Sequence, residues 1–157
     1  MEVIRIRPAE TEIDLVATRD IFREYESWFG LDLCFQGFEE ELQNLPGKYA
    51  APGGRLYLAE VDGMIAGCIA LRPLEQSICE MKRLFVKERF RGMKIGKLLI
   101  ERLIEDARTI GYKAMRLDTF ATRMEKAVQL YESYGFREIP AYYNNPNDGV
   151  LFLELKL

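Results

Sequence analysis

The run Arg91-Gly92-Met93-Lys94-Ile95-Gly96-Lys97 puts three cations and two glycines into seven residues. A β-rich segment precedes it and a long amphipathic one follows. The start of a helix leaves N–H groups unpaired and turns the positive end of its dipole outward, so it attracts phosphate. Glycine at 92 and 96 lets the backbone approach a ligand with no Cβ in the way. Arg91, Lys94 and Lys97 add charge around the same turn. Taken alone, these residues also fit a solvated basic face ahead of a surface helix. Two better-known phosphate loops are absent: Lys97 is followed by Leu98, which breaks GxxxxGK[ST], and no GxGxxG occurs. Nucleotide triphosphate hydrolysis and dinucleotide redox chemistry lose their main support.

Charge is uneven along the chain. Residues 1–81 carry 7 basic and 15 acidic side chains, residues 82–97 carry 7 and 1, and residues 98–157 carry 8 and 9. A short basic segment on an acidic background draws a small anion, whereas a long nucleic-acid backbone would be repelled by the rest of the molecule. The chain has no histidine. His-assisted nucleophiles and imidazole metal sites are excluded, and proton transfer falls to carboxylates, Tyr, Lys, Cys or water. Cys68 and Cys79 lie in apolar runs and read as reduced core thiols; Cys34 completes an odd set with no CxxC spacing. The 157 residues fit one domain, 1–157, with a single sizeable core. No apolar stretch is long enough to span a bilayer and no secretory leader is evident, so the expectation is a cytoplasmic protein with neither membrane nor nucleic-acid partners.

The elements that must position the basic turn follow from periodicity. Residues 3–7 alternate and close on Pro8, which predicts a strand. Ile13, Val16, Ala17, Ile21 and Tyr25 predict a helix from about Glu10 to Phe29, stopped by Gly30. A shorter helix is expected from Phe35 to Leu45. Asp62-Gly63 joins strands at 55–61 and 64–71 in the strongest hairpin signal of the chain. A strand from Ile78 to Val86 leads into the basic turn. The helix after it runs to Ile110 with Gly111 as its cap. A strand over 113–119, a helix over 124–134, a short strand over 136–139 and a last strand over 150–157 complete the order β-α-α-β-β-β-α-β-α-β-β. That order predicts an α/β fold with a mixed sheet and helices on both faces.

Two segments together resemble a known family. Cys79 to Val86 followed by Arg91 to Gly96 resembles the acetyl-CoA-binding core of the GNAT N-acetyltransferases, whose signature is [Q/R]-x-x-G-x-[G/A] after the fourth strand. Ala127-Val128-Gln129-Leu130-Tyr131-Glu132-Ser133-Tyr134-Gly135-Phe136 resembles the family's A-x-x-L-Y-x-x-x-G-F. The likeness covers residues 3–157 and implies the GNAT acyl-CoA N-acyltransferase fold of about seven strands. The chain departs from the pattern at Lys94, which replaces the middle glycine, and at Met124, where many relatives carry an Asn. With its side chain outward, Lys94 would keep the cradle and add an ammonium; this arrangement is the expectation. A positive φ there would cost on the order of 1 kcal/mol.

The resemblance implies acetyl transfer from acetyl-CoA to a primary amine by direct attack, with no metal. It implies a V-shaped opening between the fourth and fifth strands, where the backbone of Leu84, Phe85 and Val86 would hold the pantetheine arm. The amides of Arg91, Gly92, Met93, Lys94, Ile95, Gly96 and Lys97 would hold the pyrophosphate. Tyr131 would protonate the leaving thiolate; the alternative is a packed helix aromatic. Glu80, a carboxylate in an apolar strand, is either the base or an ion-pair partner of Lys82 or Arg83. An N–H of Leu84 or Phe85 would bind the thioester oxygen. The acceptor, a small molecule or a peptide amine, would meet Tyr25, Trp28, Phe29, Phe35 and the loop 142–149, and a homodimer is compatible with the pattern. Two other readings stay open: a non-catalytic acyl-CoA sensor, and RNA contact through residues 82–97.

Overall fold

The computed structural model describes residues 2–30, 33 and 37–157. Seven strands form one sheet: β1 (Ile4–Pro8), β2 (Arg55–Val61), β3 (Met64–Glu75), β4 (Ile78–Val86), β5 (Ala114–Phe120), β6 (Arg137–Ile139) and β7 (Val150–Lys156). Their order is β1-β2-β3-β4-β5-β7-β6. Every neighbouring pair is antiparallel except β4 and β5. Asp62 at φ 50° and Gly63 at φ 83° make the tight turn expected between β2 and β3.

Helices cover both faces, as the element order predicts. Helices α3 (Ile95–Ile110) and α4 (Glu125–Ser133) pack on one face. Ile95, Leu99, Leu103 and Ala107 of α3 lie there against Ile69, Leu71, Cys79, Met81, Met115 and Leu117 of the sheet. On the other face, α1 (Glu12–Phe29) and α2 (Phe38–Gln43) bury Ile21, Phe22, Phe38 and Leu42 against Leu56, Leu58, Cys68 and Phe85. Cys68 and Cys79 are buried and free. Phe35 and Cys34 lie outside the described residues, so α2 is described only from Phe38. Among the described residues no helix is long and apolar enough to cross a membrane.

The buried face of α1 differs from the predicted one. Ile13 is 81% exposed and Val16 52% exposed, whereas Asp14, Leu15, Thr18, Ile21, Phe22 and Phe29 are buried. Capping turned the helix. The Thr11 hydroxyl accepts from the Asp14 N–H (3.1 Å), and Asp14 Oδ2 accepts from the N–H groups of Glu10 (3.0 Å) and Thr11 (3.2 Å). This reciprocal cap, with Arg7 Nη1 2.8 Å from Asp14 Oδ1, fixes which stripe meets the sheet.

Candidate active site

β4 carries the site because it stops pairing with β5 halfway along. Ile78, Cys79 and Glu80 pair with Ala114, Met115 and Arg116, and no pairing follows. The cause is a bulge in β4. Cys68 of β3 faces Phe85 while Ala70 faces Lys82, so one β4 residue is extra between them. Arg83 takes it up in the left-handed region at φ 62°. A bulge turns two successive side chains to one face and bends the strand. Met81 and Leu84 accordingly belong to the α3 side and Phe85 to the α1 side. Arg83 reaches Glu41 of α2 through Nε (3.0 Å) and Nη2 (2.9 Å), and its guanidinium lies over the rings of Tyr25 and Phe38. That bidentate pair holds the carboxylate side of α2 against the bulge and raises the Arg83 pKa in spite of burial.

The splayed strands leave a narrow gap of about 40 Å³ lined by Met81, Lys82, Leu84, Asp118, Met124 and Tyr131 among others. The Lys87 N–H bonds Ala66 O at 2.8 Å, and Phe85 stands opposite Cys68. By the alternation of an antiparallel ladder, Phe85 turns its N–H toward β3, while Leu84 and Val86 turn theirs into the gap. Of the two residues expected to offer an N–H to an acyl oxygen, Leu84 alone turns its N–H away from β3.

At the end of β4 the basic turn is open. The N–H groups of Gly92 through Lys97 have no hydrogen-bond partner among the described residues, whereas Arg91 donates its own to Glu88 O at 3.2 Å. The amide cradle is therefore one residue shorter than expected. The Arg91 side chain is also committed to the protein, with Nε 3.0 Å from Val86 O and its guanidinium 4.7 Å from the centre of the Trp28 ring. Gly92 sits at φ 89°, and a Cβ on Gly96 would come no closer to the protein than 3.9 Å, to Val86 Cγ2. Lys94 corrects an expectation: its side chain is exposed, as thought, but its backbone lies at φ 63° as the residue capping α3. The turn needs positive φ there whatever residue supplies it.

Tyr131 of α4 reaches the gap from the α3 side and is 4% exposed. Its hydroxyl has no hydrogen-bond partner among the described residues. Burial pushes its pKa up, so the phenol is protonated at neutral pH. Glu80 is 1% exposed and faces a second, larger cavity on the α2 side. Both of its oxygens are taken: Arg72 Nε donates to Oε1 (2.7 Å) and the Tyr142 hydroxyl to Oε2 (2.6 Å). The ion-pair partner of Glu80 is thus Arg72, directly across the β3–β4 ladder, rather than Lys82 or Arg83. Burial and then the Glu80 carboxylate push the Tyr142 phenol up, which keeps it a donor.

The larger cavity, about 470 Å³, is walled by Glu40, Glu41, Lys48, Tyr49, Arg72, Glu80, Lys82 and Tyr143 among others. Of the aromatics expected on the acceptor side, Tyr25 and Phe29 line the gap instead, and Trp28 packs on Phe85 and Arg91. From the loop 142–149, Tyr143 faces the cavity and donates to Asp118 Oδ2, which also accepts from Asn145 Nδ2 (3.2 Å). The segment from Gly37 to Tyr49 supplies most of the wall. Its sequence carries no signal for that role beyond the run Glu39-Glu40-Glu41.

The family model for the acetyltransferase (GNAT) family matches residues 15–136. An uncharacterized N-acetyltransferase of Dictyostelium discoideum is 37% identical, over 99% of both chains. An acetyltransferase of the GNAT family from Staphylococcus aureus Mu50 superposes with a TM-score of 0.80 at 23% identity, over 98% of this chain and 99% of that one. The PaiA N-acetyltransferase of Thermoplasma acidophilum, in complex with coenzyme A, superposes at 0.75 with 19% identity and 99% coverage of each.

Proposed function

This chain belongs to the acetyltransferase (GNAT) family and is an N-acetyltransferase; from that premise we propose that residues 1–157 form one domain that moves the acetyl group of acetyl-CoA to a primary amine within the gap between β4 and β5. The observation that carries the reading is the combination at one end of β4 of six consecutive open amides, Gly92 to Lys97, with a strand edge freed from its neighbour.

The residues present suit the chemistry of the cosubstrate. The amides of Gly92 to Lys97, with the charges of Lys94 and Lys97, would take the pyrophosphate. The freed edge of β4 at Leu84 and Val86 would pair with the pantetheine amides as an added strand. Leu84 N–H would donate to the acyl oxygen as negative charge develops there, and preorganised amides of this kind stabilise such an oxyanion in a water-poor site. Tyr131, protonated and with its hydroxyl turned to the gap, would give its proton to the departing sulfur. Glu80, held by Arg72 and Tyr142, supplies fixed negative charge to the wall of the larger cavity, where the cationic acceptor would enter. Leu84 and Tyr131 thus occupy the catalytic centre, while the acceptor is a small-molecule or peptide amine. The buried thiols of Cys68 and Cys79 suit a reducing, cytoplasmic setting.

Thiol release from acetyl-CoA, followed over a panel of amines (amino acids, polyamines, aminoglycosides and peptide N-termini), tests the activity. Binding of coenzyme A without amine-dependent release would replace the enzyme by a sensor. For the acid, Tyr131→Phe should lower kcat by about 10²-fold or more while leaving the affinity for acetyl-CoA in place. Unchanged turnover would remove Tyr131 from the chemistry.

A further inference from the structure

Two cavities meet at one side chain. Lys82 is the residue common to the walls of the gap and of the larger chamber. Its position follows from the bulge: with Arg83 as the extra residue, Lys82 and Arg83 project together on the α2 side, one after the other. Arg83 turns toward Glu41, and Lys82 lines both the chamber and the gap. Tyr131 closes the gap from the opposite face of the sheet. An acyl group lying between the two strands would have a phenol on one side and an amine on the other.

Resting on the acetyl-transfer reading above, we propose that Lys82 is the general base: its Nζ takes a proton from the acceptor nitrogen as that nitrogen bonds to the acetyl carbon. The balance closes. The N–C bond forms, the C–S bond breaks, the sulfur receives the Tyr131 proton, and Lys82 holds the amine proton as an ammonium. Lys82 then releases a proton to water through the chamber, and Tyr131 regains one.

The surroundings of Lys82 support the role. On β4 it is flanked by Glu80 and Arg83; β3 presents Arg72, β5 presents Asp118, α2 presents Glu40 and Glu41, and the loop after β6 presents Tyr143. Burial, and then the adjacent Arg83 cation, lower the Lys82 ammonium to about 8 against the opposing pull of Glu80 and Asp118. The lowered value leaves about a tenth of Lys82 neutral at pH 7 and about half at pH 8, far more than an ordinary lysine near about 10.4. Once protonated, it lies beside two carboxylates that stabilise the cation. From residue types Lys82 reads as a partner for Glu80 and as the start of the basic segment 82–97, because a bulge cannot be seen in residue types.

Trace labelling with acetic anhydride across a pH series, read by mass spectrometry of the Lys82 peptide, measures its titration with no acceptor required. The expected midpoint is about 8, well below an ordinary lysine near about 10.4. In thiol-release assays with spermidine, or with the best amine of the panel, Lys82→Gln and Lys82→Arg should each lower kcat by about 10²-fold or more. Both should remove the limb that rises through about pH 8 and retain coenzyme A binding. Glu80→Gln should leave that limb in place. A labelling midpoint in the ordinary lysine range, or a Lys82→Arg enzyme with turnover near that of the wild type, overturns the assignment. Failure of the family reading looks different: the wild-type protein itself would release no thiol with any amine.

Discussion

Lys94 shows how a backbone angle can outvote a side chain. At φ 63° it occupies the region that glycine enters freely and other residues enter at a cost. Its exposed ammonium, beside the open amides, is the return for that cost. The two contributions can be separated. Lys94→Gly should stabilise the protein by up to about 1 kcal/mol, part of the relief being offset by a freer unfolded chain. It should also weaken coenzyme A binding, because one cation is gone. Lys94→Ala loses the same cation without relieving the angle, so it should bind as weakly and be less stable than the glycine variant. Urea midpoints with calorimetric titrations of coenzyme A decide between them. A glycine variant no more stable than the alanine one would mean that the turn carries no strain. A turn with open amides was legible in the spacing of Gly92 and Gly96. The angle at Lys94 was not, since residue types state which conformations are cheap and the fold decides which are used.

At the scale of elements, the strands and helices were legible almost throughout, because amphipathic periods, the Asp62-Gly63 turn and the glycine caps act locally. The errors lay where one element answers to another. β3 was expected to end at Leu71, but it continues through Pro73 to Glu75. β2 has already ended its pairing with β3 at Leu71, so the proline sits where no ladder bond is needed on that side. Those extra residues bring Arg72 opposite Glu80, which is why the partner of Glu80 was missed. For α1 the hydrophobic stripe through Ile13 and Val16 lost to the cap formed by Thr11, Asp14 and Arg7. Burial alone would raise the Asp14 carboxyl, yet the amides of Glu10 and Thr11 and the Arg7 guanidinium outweigh it and hold it at about 2. A carboxyl lowered on folding stabilises the folded state above its unfolded value. That contribution, on the order of 2 kcal/mol, is full above about pH 4 and disappears as the pH falls through about 2. Asp14→Asn should therefore cost stability at pH 7 and flatten the acid limb of a Tm-against-pH curve. An acid limb of unchanged steepness would show that other carboxylates govern acid unfolding.

For the whole molecule, the decisive feature is a sheet that fails to close between its fourth and fifth strands, with positive charge gathered at the mouth of the opening. The chain is net negative, at −3, while residues 82–97 carry seven of its 22 basic side chains. The gap was implied by the family resemblance and not by composition, and the chamber by neither, because the bulge at Arg83 and its tie to Glu41 cannot be seen in residue types. The charge asymmetry could be read, and it has a consequence for binding. A ligand whose phosphates sit on exposed amides and lysines is held largely by forces that salt screens over about 10 Å at 0.1 M. A ligand held only along the freed strand edge is nearly indifferent to salt. At about 100 times its Kd, coenzyme A should stabilise the protein by about 2.7 kcal/mol. For a domain of this size that corresponds to a rise in Tm of roughly 5–10 °C. The rise should shrink markedly between low and high sodium chloride at fixed ligand, whereas pantetheine, which lacks the phosphates, should give a smaller shift that salt hardly changes. Equal salt sensitivity for the two ligands would move the anion site away from the turn at 92–97, and with it the reason for so many cations at the end of β4.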